Sequence, residues 1–339
     1  MITRRHLLET AGAGAALVGA ALAFPKLAEA EISNLNAGLP AGTRGEAAME
    51  RLPGKQPLIK LTYRPPNYES PIDYFKTPIT PNDKFFVRYH LADIPEKIDA
   101  AKWKLSVSGD GANGTAELTL ADLKKLPAVE VVAVNQCSGN RRGLFMPHVA
   151  GVEWGYGAMG CARWKGAKLK DILAKAGLKA EAVEIVVDGA DGPVLDKTPD
   201  FVKSIPVAKA IEDTTIVAYE MNGAPLPHLN GFPARLIVPG WTGTYWMKHL
   251  VSIRAVTKPF EGFWMKSAYR IPIGIFPGAR FTSQESIGPN TPITEMVVNS
   301  LITTPSEGAK LKSGKTTVSG IAWDSGSGIR SVEVSADGG

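Results

Sequence analysis

Runs of five to eight residues rich in Val, Ile and aromatics, each stopped by a Gly, Pro or Asn turn, recur from Lys84 to the end of the chain. This punctuation constrains the fold more than any other feature, because such runs are too short for ordinary helices and suit strands. Lys84–Tyr89, Trp103–Ser108, Glu130–Asn135, Val183–Val187, Thr215–Tyr219 and Ala234–Val238 are predicted strands. Two stretches carry helical spacing instead. Leu120–Leu126 is capped by Thr119 and stopped by Pro127, and Leu169–Ala176 ends at Gly177. The expectation is therefore an α+β, β-rich domain over residues 81–293, preceded by an extended, Pro-, Gly- and Asn-rich arm over residues 31–80.

From residue 294 onward the pattern becomes purely strand-like, with Met296–Thr303, Thr316–Trp323 and Ser331–Ser335 separated by Gly/Ser/Pro turns. That reads as the start of an immunoglobulin-like β-sandwich, of which three strands are too few to close. Residues 294–339 are thus expected to be part of a domain that continues, with Asp337-Gly338-Gly339 in a hairpin turn.

Residues 1–30 have a composition of their own. Arg4 and Arg5 precede an Ala/Gly/Leu stretch from Ala11 to Phe24, and Ala28-Glu29-Ala30 offers a signal-peptidase pattern. The arginine pair makes this a twin-arginine-type leader, implying export of a folded protein to the periplasm with no lasting membrane anchor. Folded export suits a protein that takes up a complex cofactor before leaving the cytoplasm. The rest of the chain has no apolar run long enough to make it polytopic. A net charge of +5, with no basic run, gives no footing for nucleic acid.

Two cysteines exclude a disulfide framework, a four-cysteine zinc site and a cysteine-ligated iron–sulfur cluster. No Cys-x-x-Cys-His motif or histidine haem-binding loop is present, so no haem is expected. Cys161 reads as a small buried residue. Cys137 is different. It sits at a strand end in Asn135-Gln136-Cys137-Ser138-Gly139-Asn140-Arg141-Arg142, where two guanidinium groups favour a thiolate able to attack or bind metal.

In order, the motifs Phe86-Val87-Arg88-Tyr89-His90-Leu91, the Cys137 loop, Gly157 to Trp164, Ala218 to Gly223, Gly231-Phe232-Pro233-Ala234-Arg235 and Pro239 to Lys248 resemble the sulfite oxidase family of molybdenum enzymes. The likeness is greatest to its bacterial haem-free sulfite dehydrogenase branch. The resemblance implies that Cys137 ligates molybdenum held by molybdopterin, a soft thiolate for a sulfur-rich redox metal. By the same likeness Arg88, His90 and Arg142 form an anion pocket for sulfite, and Tyr269 is the active-site tyrosine. Phe86, Val87, Arg88, Tyr89, His90, Arg235, Trp246, Met247 and Lys248 are implied cofactor contacts, with Asp191 a weaker match. At Asn230 the sequence departs from many relatives, which place a histidine before Gly-Phe-Pro; asparagine offers a donor and an acceptor there. The implied activity is oxidation of sulfite to sulfate, with electrons passing to a c-type cytochrome, in a chain that dimerises through its last domain. A reductase of the same family acting on sulfoxides or methionine sulfoxide, or a non-catalytic β-sandwich binding protein, are the alternatives.

Overall fold

A capping box opens the first helix: the Thr119 hydroxyl accepts from the Asp122 N–H and the Asp122 carboxylate accepts from the Thr119 N–H. The resulting helix α1 (Leu120–Lys125) and a second, α2 (Leu169–Leu173), match the two predicted helical segments. Gly177, at φ 73°, follows α2 in the left-handed conformation expected just past a helix end. The computed structural model describes residues 31–34, 46–273 and 290–336; the leader over residues 1–30 and the terminal turn at 337–339 lie outside them.

Strands dominate the remainder. β1 (Glu31–Asn34), β2 (Glu46–Glu50), β3 (Leu58–Thr62), β4 (Asn67–Glu69) and β5 (Val87–Arg88) form an antiparallel sheet in chain order. The residues expected as an arm therefore supply four strands. They are three to five residues long and interrupted by Pro and Gly, which hides their periodicity.

The second sheet has the order β11-β10-β15-β6-β7, from β6 (Lys104–Ser108), β7 (Ala116–Thr119), β10 (Glu184–Gly189), β11 (Lys203–Pro206) and β15 (Leu250–Val256). The third runs β13-β12-β9-β8, from β8 (Ala128–Gln136), β9 (Met159–Lys168), β12 (Ile216–Met221) and β13 (Ala224–Pro225), with β14 (Arg235–Ile237) also on β12. A single buried core joins these two sheets, running from Leu105 and Trp103 through Trp164 and Ile216 to Ile253. The result is the strand-rich α+β architecture expected.

Strands β7, β9, β11, β13 and β15 are not among the predicted runs, and β5 is shorter than expected. β9 pairs with the whole of β8, from Gln136↔Met159 to Ala128↔Ala167, yet its glycines break any apolar run. Gly166 is there for space: a Cβ on it would lie 2.0 Å from the Val217 carbonyl oxygen on β12. The predicted strand Lys84–Tyr89 shrinks to β5, because Asn82–Lys84 turns as a single 3-10 helix.

In the last unit, β16 (Arg270–Pro272) pairs with β17 (Asn290–Pro292), and β18 (Asn299–Thr304) with β19 (Ser319–Trp323). Ser331–Ser335, expected as a strand, forms no ladder. Its Val332 and Val334 are both 66% exposed, and among the described residues no face covers them. Trp323 is buried instead, packing with Phe75, Met159 and Met296, so this unit closes over the end of β8 and β9.

Candidate active site

β8 ends at Gln136, and the chain then turns through Cys137 with its N–H bonded to the Ala158 carbonyl at 2.9 Å. The Cys137 Sγ accepts the Gly139 N–H at 3.4 Å and faces a pocket with about 610 Å³ of atom-free space, counting its open mouth. From the other side β5 and its flanks present Phe86, Arg88, Tyr89 and His90. Asp191 and Asn230 join them, then Arg235, Trp246, Met247 and Lys248, and finally Tyr269.

Two expected residues stand elsewhere. Val87 is fully buried and turns away into a small cluster with Leu58 and Tyr68, as the alternation of an extended strand requires. Arg142 lies behind the wall. Arg141 takes a left-handed conformation, φ 71°, and the turn that follows sends the Arg142 guanidinium to the Val152 carbonyl at 3.2 Å, against Gly139 and Gly151. Its charge still reaches the site, since it helps to lower the basicity of His90.

The substrate end of the pocket is a cluster of three side chains. The Tyr269 hydroxyl bonds His90 Nε2, and Arg88 Nη2 donates to the same hydroxyl at 3.4 Å. Burial, then the Arg88 charge, holds the His90 imidazole well below its usual range, so the ring is neutral near pH 7. Burial likewise raises the Tyr269 phenol, with Arg88 opposing, so the phenol keeps its proton. His90 is wedged against Phe201, ring centroids 3.5 Å apart. Tyr269 itself has φ 58°, a conformation that costs a non-glycine residue about 1–3 kcal/mol and that the surrounding contacts must offset.

The other end is basic and buried. Arg235 donates from Nε to the Trp246 carbonyl at 3.2 Å and from Nη1 to the Asn230 carbonyl at 3.1 Å. Burial lowers its guanidinium to about 9 and, with Arg235 beside it, pushes the Lys248 ammonium well below its ordinary value. Burial raises the Asp191 carboxyl, and Lys248 works against that rise. Asn230 spends both ends of its amide inside the protein: Nδ2 donates to the Phe86 carbonyl at 3.2 Å and Oδ1 accepts from Lys55 Nζ at 2.5 Å. Lys55, from the N-terminal sheet, is held by burial at about 7. Sequence reading missed it because nothing local marks a lysine that becomes buried through a contact 175 positions away.

Asn135 and Thr244 also went unnoticed, although both line the pocket. The signal was present: Asn135 alternates with Cys137 across one residue, and Thr244 sits in the turn after Gly243. At Gly243 a Cβ would crowd the Asn135 Oδ1 at 2.6 Å. Three buried polar atoms on the pocket wall lack protein partners, namely Arg88 Nε, Asn135 Nδ2 and Thr244 Oγ1. Buried donors of this kind are costly unless something accepts from them. A thiol, three unpaired donors and the Arg235–Lys248 cations in one cleft fit an anionic, phosphate-bearing molybdopterin whose metal takes a sulfur ligand from Cys137. Among the described residues no three His, Cys, Asp or Glu side chains converge on a metal, and no helix is long and apolar enough to cross a membrane.

Residues 90–264 match the oxidoreductase molybdopterin binding domain, and residues 290–339 match the Mo-co oxidoreductase dimerisation domain. The mitochondrial sulfite oxidase of Mus musculus is 36% identical over 297 residues, covering 85% of this chain and 53% of that protein. The sulfite oxidase of Arabidopsis thaliana is 32% identical over 314 residues, 88% of this chain and 78% of that one. Among solved structures, the sulfane dehydrogenase SoxCD from Paracoccus pantotrophus superposes with a TM-score of 0.64 at 27% identity, over 78% of this chain and 64% of that chain. The chain spans about half the length of the animal mitochondrial relatives it matches.

Proposed function

Since this chain belongs to the sulfite oxidase family of molybdopterin oxidoreductases, we propose that it oxidises sulfite to sulfate in the periplasm and passes the two electrons singly to a c-type cytochrome. The observation that carries this reading is the meeting of Arg88, His90 and Tyr269 in the pocket that Cys137 also faces.

The bound molybdenum centre supplies the two-electron acceptor and the site of oxygen transfer, and Cys137 would be its protein thiolate. The chain's own residues handle the anion and its protons. Arg88 offers its unpartnered Nε, and a fixed guanidinium fork suits an oxyanion. His90, neutral and clamped against Phe201, presents no second full charge, so the oxyanion is held mainly by Arg88. The Tyr269 phenol keeps its proton and donates within the cluster. Oxidising sulfite with water releases two protons, and the Tyr269–His90 hydrogen bond is the first group pair placed to receive one. At the far end Arg235 and Lys248 would hold the cofactor's phosphate.

A sulfane substrate, as the name of the SoxCD structure suggests for that protein, is the rival reading. The residue match to a dimerisation domain supports assembly as a homodimer. The test is purified chain from a molybdate-fed host: one Mo per chain and sulfite-dependent reduction of cytochrome c support the proposal. Full Mo with turnover of sulfane sulfur but not sulfite would replace it, and absence of Mo would sink both.

A further inference from the structure

One buried charge has no part in the reaction as described. Lys203, at the start of β11, is fully buried, and among the described residues no carboxylate pairs with it. Its Nζ donates to the Trp264 carbonyl at 2.6 Å. The same nitrogen lies 4.5 Å from the ring centre of Tyr245 and 5.3 Å from that of Tyr269. An unpaired ammonium in a protein interior is expensive, and carbonyl and aromatic faces offset only part of that. The cost shows in its basicity, which burial, and then the Arg270 charge, lower to about 7.

What distinguishes the position is its neighbours. Trp264 belongs to the short helix Phe263–Lys266, which leads directly into the strained Tyr269. Lys203 therefore grips the backbone of the turn that carries the tyrosine and sits on the tyrosine's ring. Two residues earlier, in the segment leading into β11, Phe201 stacks on His90. One short stretch of chain thus braces both partners of the Tyr269–His90 hydrogen bond. Other groups act on the phenol too: Arg88 next to His90, Cys137 from the loop after β8 and, from behind the wall, the Arg142 charge. Lys203 is the cation behind the ring rather than at the hydroxyl.

We propose that Lys203 is a positioning residue for Tyr269, its ammonium holding the Trp264 turn and the tyrosine ring so that the phenol meets His90. This rests on the assignment of Tyr269 to the sulfite site.

The test uses the full-chain holoenzyme with Lys203→Met, which keeps the length and removes the charge, and Lys203→Arg, which keeps the charge. Deleting the buried cation relieves its desolvation cost but frees the Trp264 carbonyl, so the two effects oppose each other and Mo content should stay intact. With sulfite, Lys203→Met should lower kcat about tenfold, a fraction of what a full acid–base group supplies. KM should stay within about twofold, because the loss falls on the chemical step. Lys203→Arg should restore kcat. Unchanged kcat in Lys203→Met, or equal losses in both variants, overturns the proposal. A second readout needs no substrate. With 3-fluorotyrosine at position 269, its 19F resonance should move in Lys203→Met and return in Lys203→Arg; no movement in Lys203→Met overturns the inference. If the wild-type enzyme fails on sulfite while this signal behaves as expected, the substrate reading falls and the Lys203 assignment stands.

Discussion

Arg88→Gln separates the anion site from the scaffold around it. In the folded chain Arg88 Nη1 donates to Asn67 Oδ1 at 3.1 Å and to the Tyr89 carbonyl, Nη2 reaches the Tyr269 hydroxyl at 3.4 Å, and Nε is left free on the pocket wall. Asn67 Oδ1 keeps a second donor, the Tyr89 N–H at 3.3 Å, so it does not become an orphan when the guanidinium is removed. The scaffold therefore loses little. The oxyanion loses the half-buried guanidinium fork at this end of the pocket, and removing one partner of a desolvated, hydrogen-bonded charge pair costs about 2–4 kcal/mol. At 1.4 kcal/mol per decade this is a rise in sulfite KM of about 30- to 700-fold. kcat should fall less, by about threefold, as Tyr269 loses one long hydrogen bond. The assay is steady-state cytochrome c reduction over a wide sulfite range on protein matched for Mo content. A KM within about twofold of wild type, with Mo intact, would refute the assignment of the pocket and with it the argument from the free Nε.

Other substitutions probe the remaining parts. Cys137→Ser should abolish turnover and lower metal content measured by plasma emission, because a soft thiolate is replaced by a poor ligand. Trp323→Phe removes the indole N–H that Gln136 Oε1 accepts at 2.7 Å, leaving a buried amide oxygen without its donor; urea titration should show a loss of about 1–3 kcal/mol. Gly157→Ala puts a Cβ 1.9 Å from the Ser70 carbonyl oxygen, a backbone clash that should remove soluble protein from the expression host altogether. Burial sets the folded-state ammonium of Lys55 at about 7, against 10.5 in its ordinary state. Between those values the unfolded chain binds a proton that the folded chain does not, so stability rises with pH across that window. Lys55→Met should flatten that rise in melts collected from pH 7 to pH 10, and an unchanged slope would show that Lys55 is not buried as described.

The capped helix α1 was readable because its whole signal is local: a threonine, an aspartate three residues on, and a proline that ends it. β9 was not, since its ten residues hold two glycines whose purpose, room for Phe85 and for the β12 backbone, exists only after the sheets meet. The site shows the same division. Motif order was enough to gather Phe86, Arg88, His90, Cys137, Arg235, Lys248 and Tyr269 into one pocket, because each sits in a short segment whose residue types are distinctive. It misplaced Val87 and Arg142, where strand alternation and a left-handed Arg141 decide which way a side chain points. Lys55 and Lys203 were invisible for a further reason: a surface lysine and a buried one are spelled alike, and only the packing of distant strands tells them apart.

The pocket's walls run from Phe85 to Tyr269 in the chain, with the last contributor arriving 184 positions after the first. No shorter nascent fragment contains the cleft. A cofactor held between Arg88, Cys137, Lys248 and Tyr269 therefore meets a chain already synthesised through Tyr269, and β19, whose Trp323 indole latches onto the residue beside Cys137, emerges later still. The latch that steadies the cysteine loop is among the last pieces of the described chain to leave the ribosome.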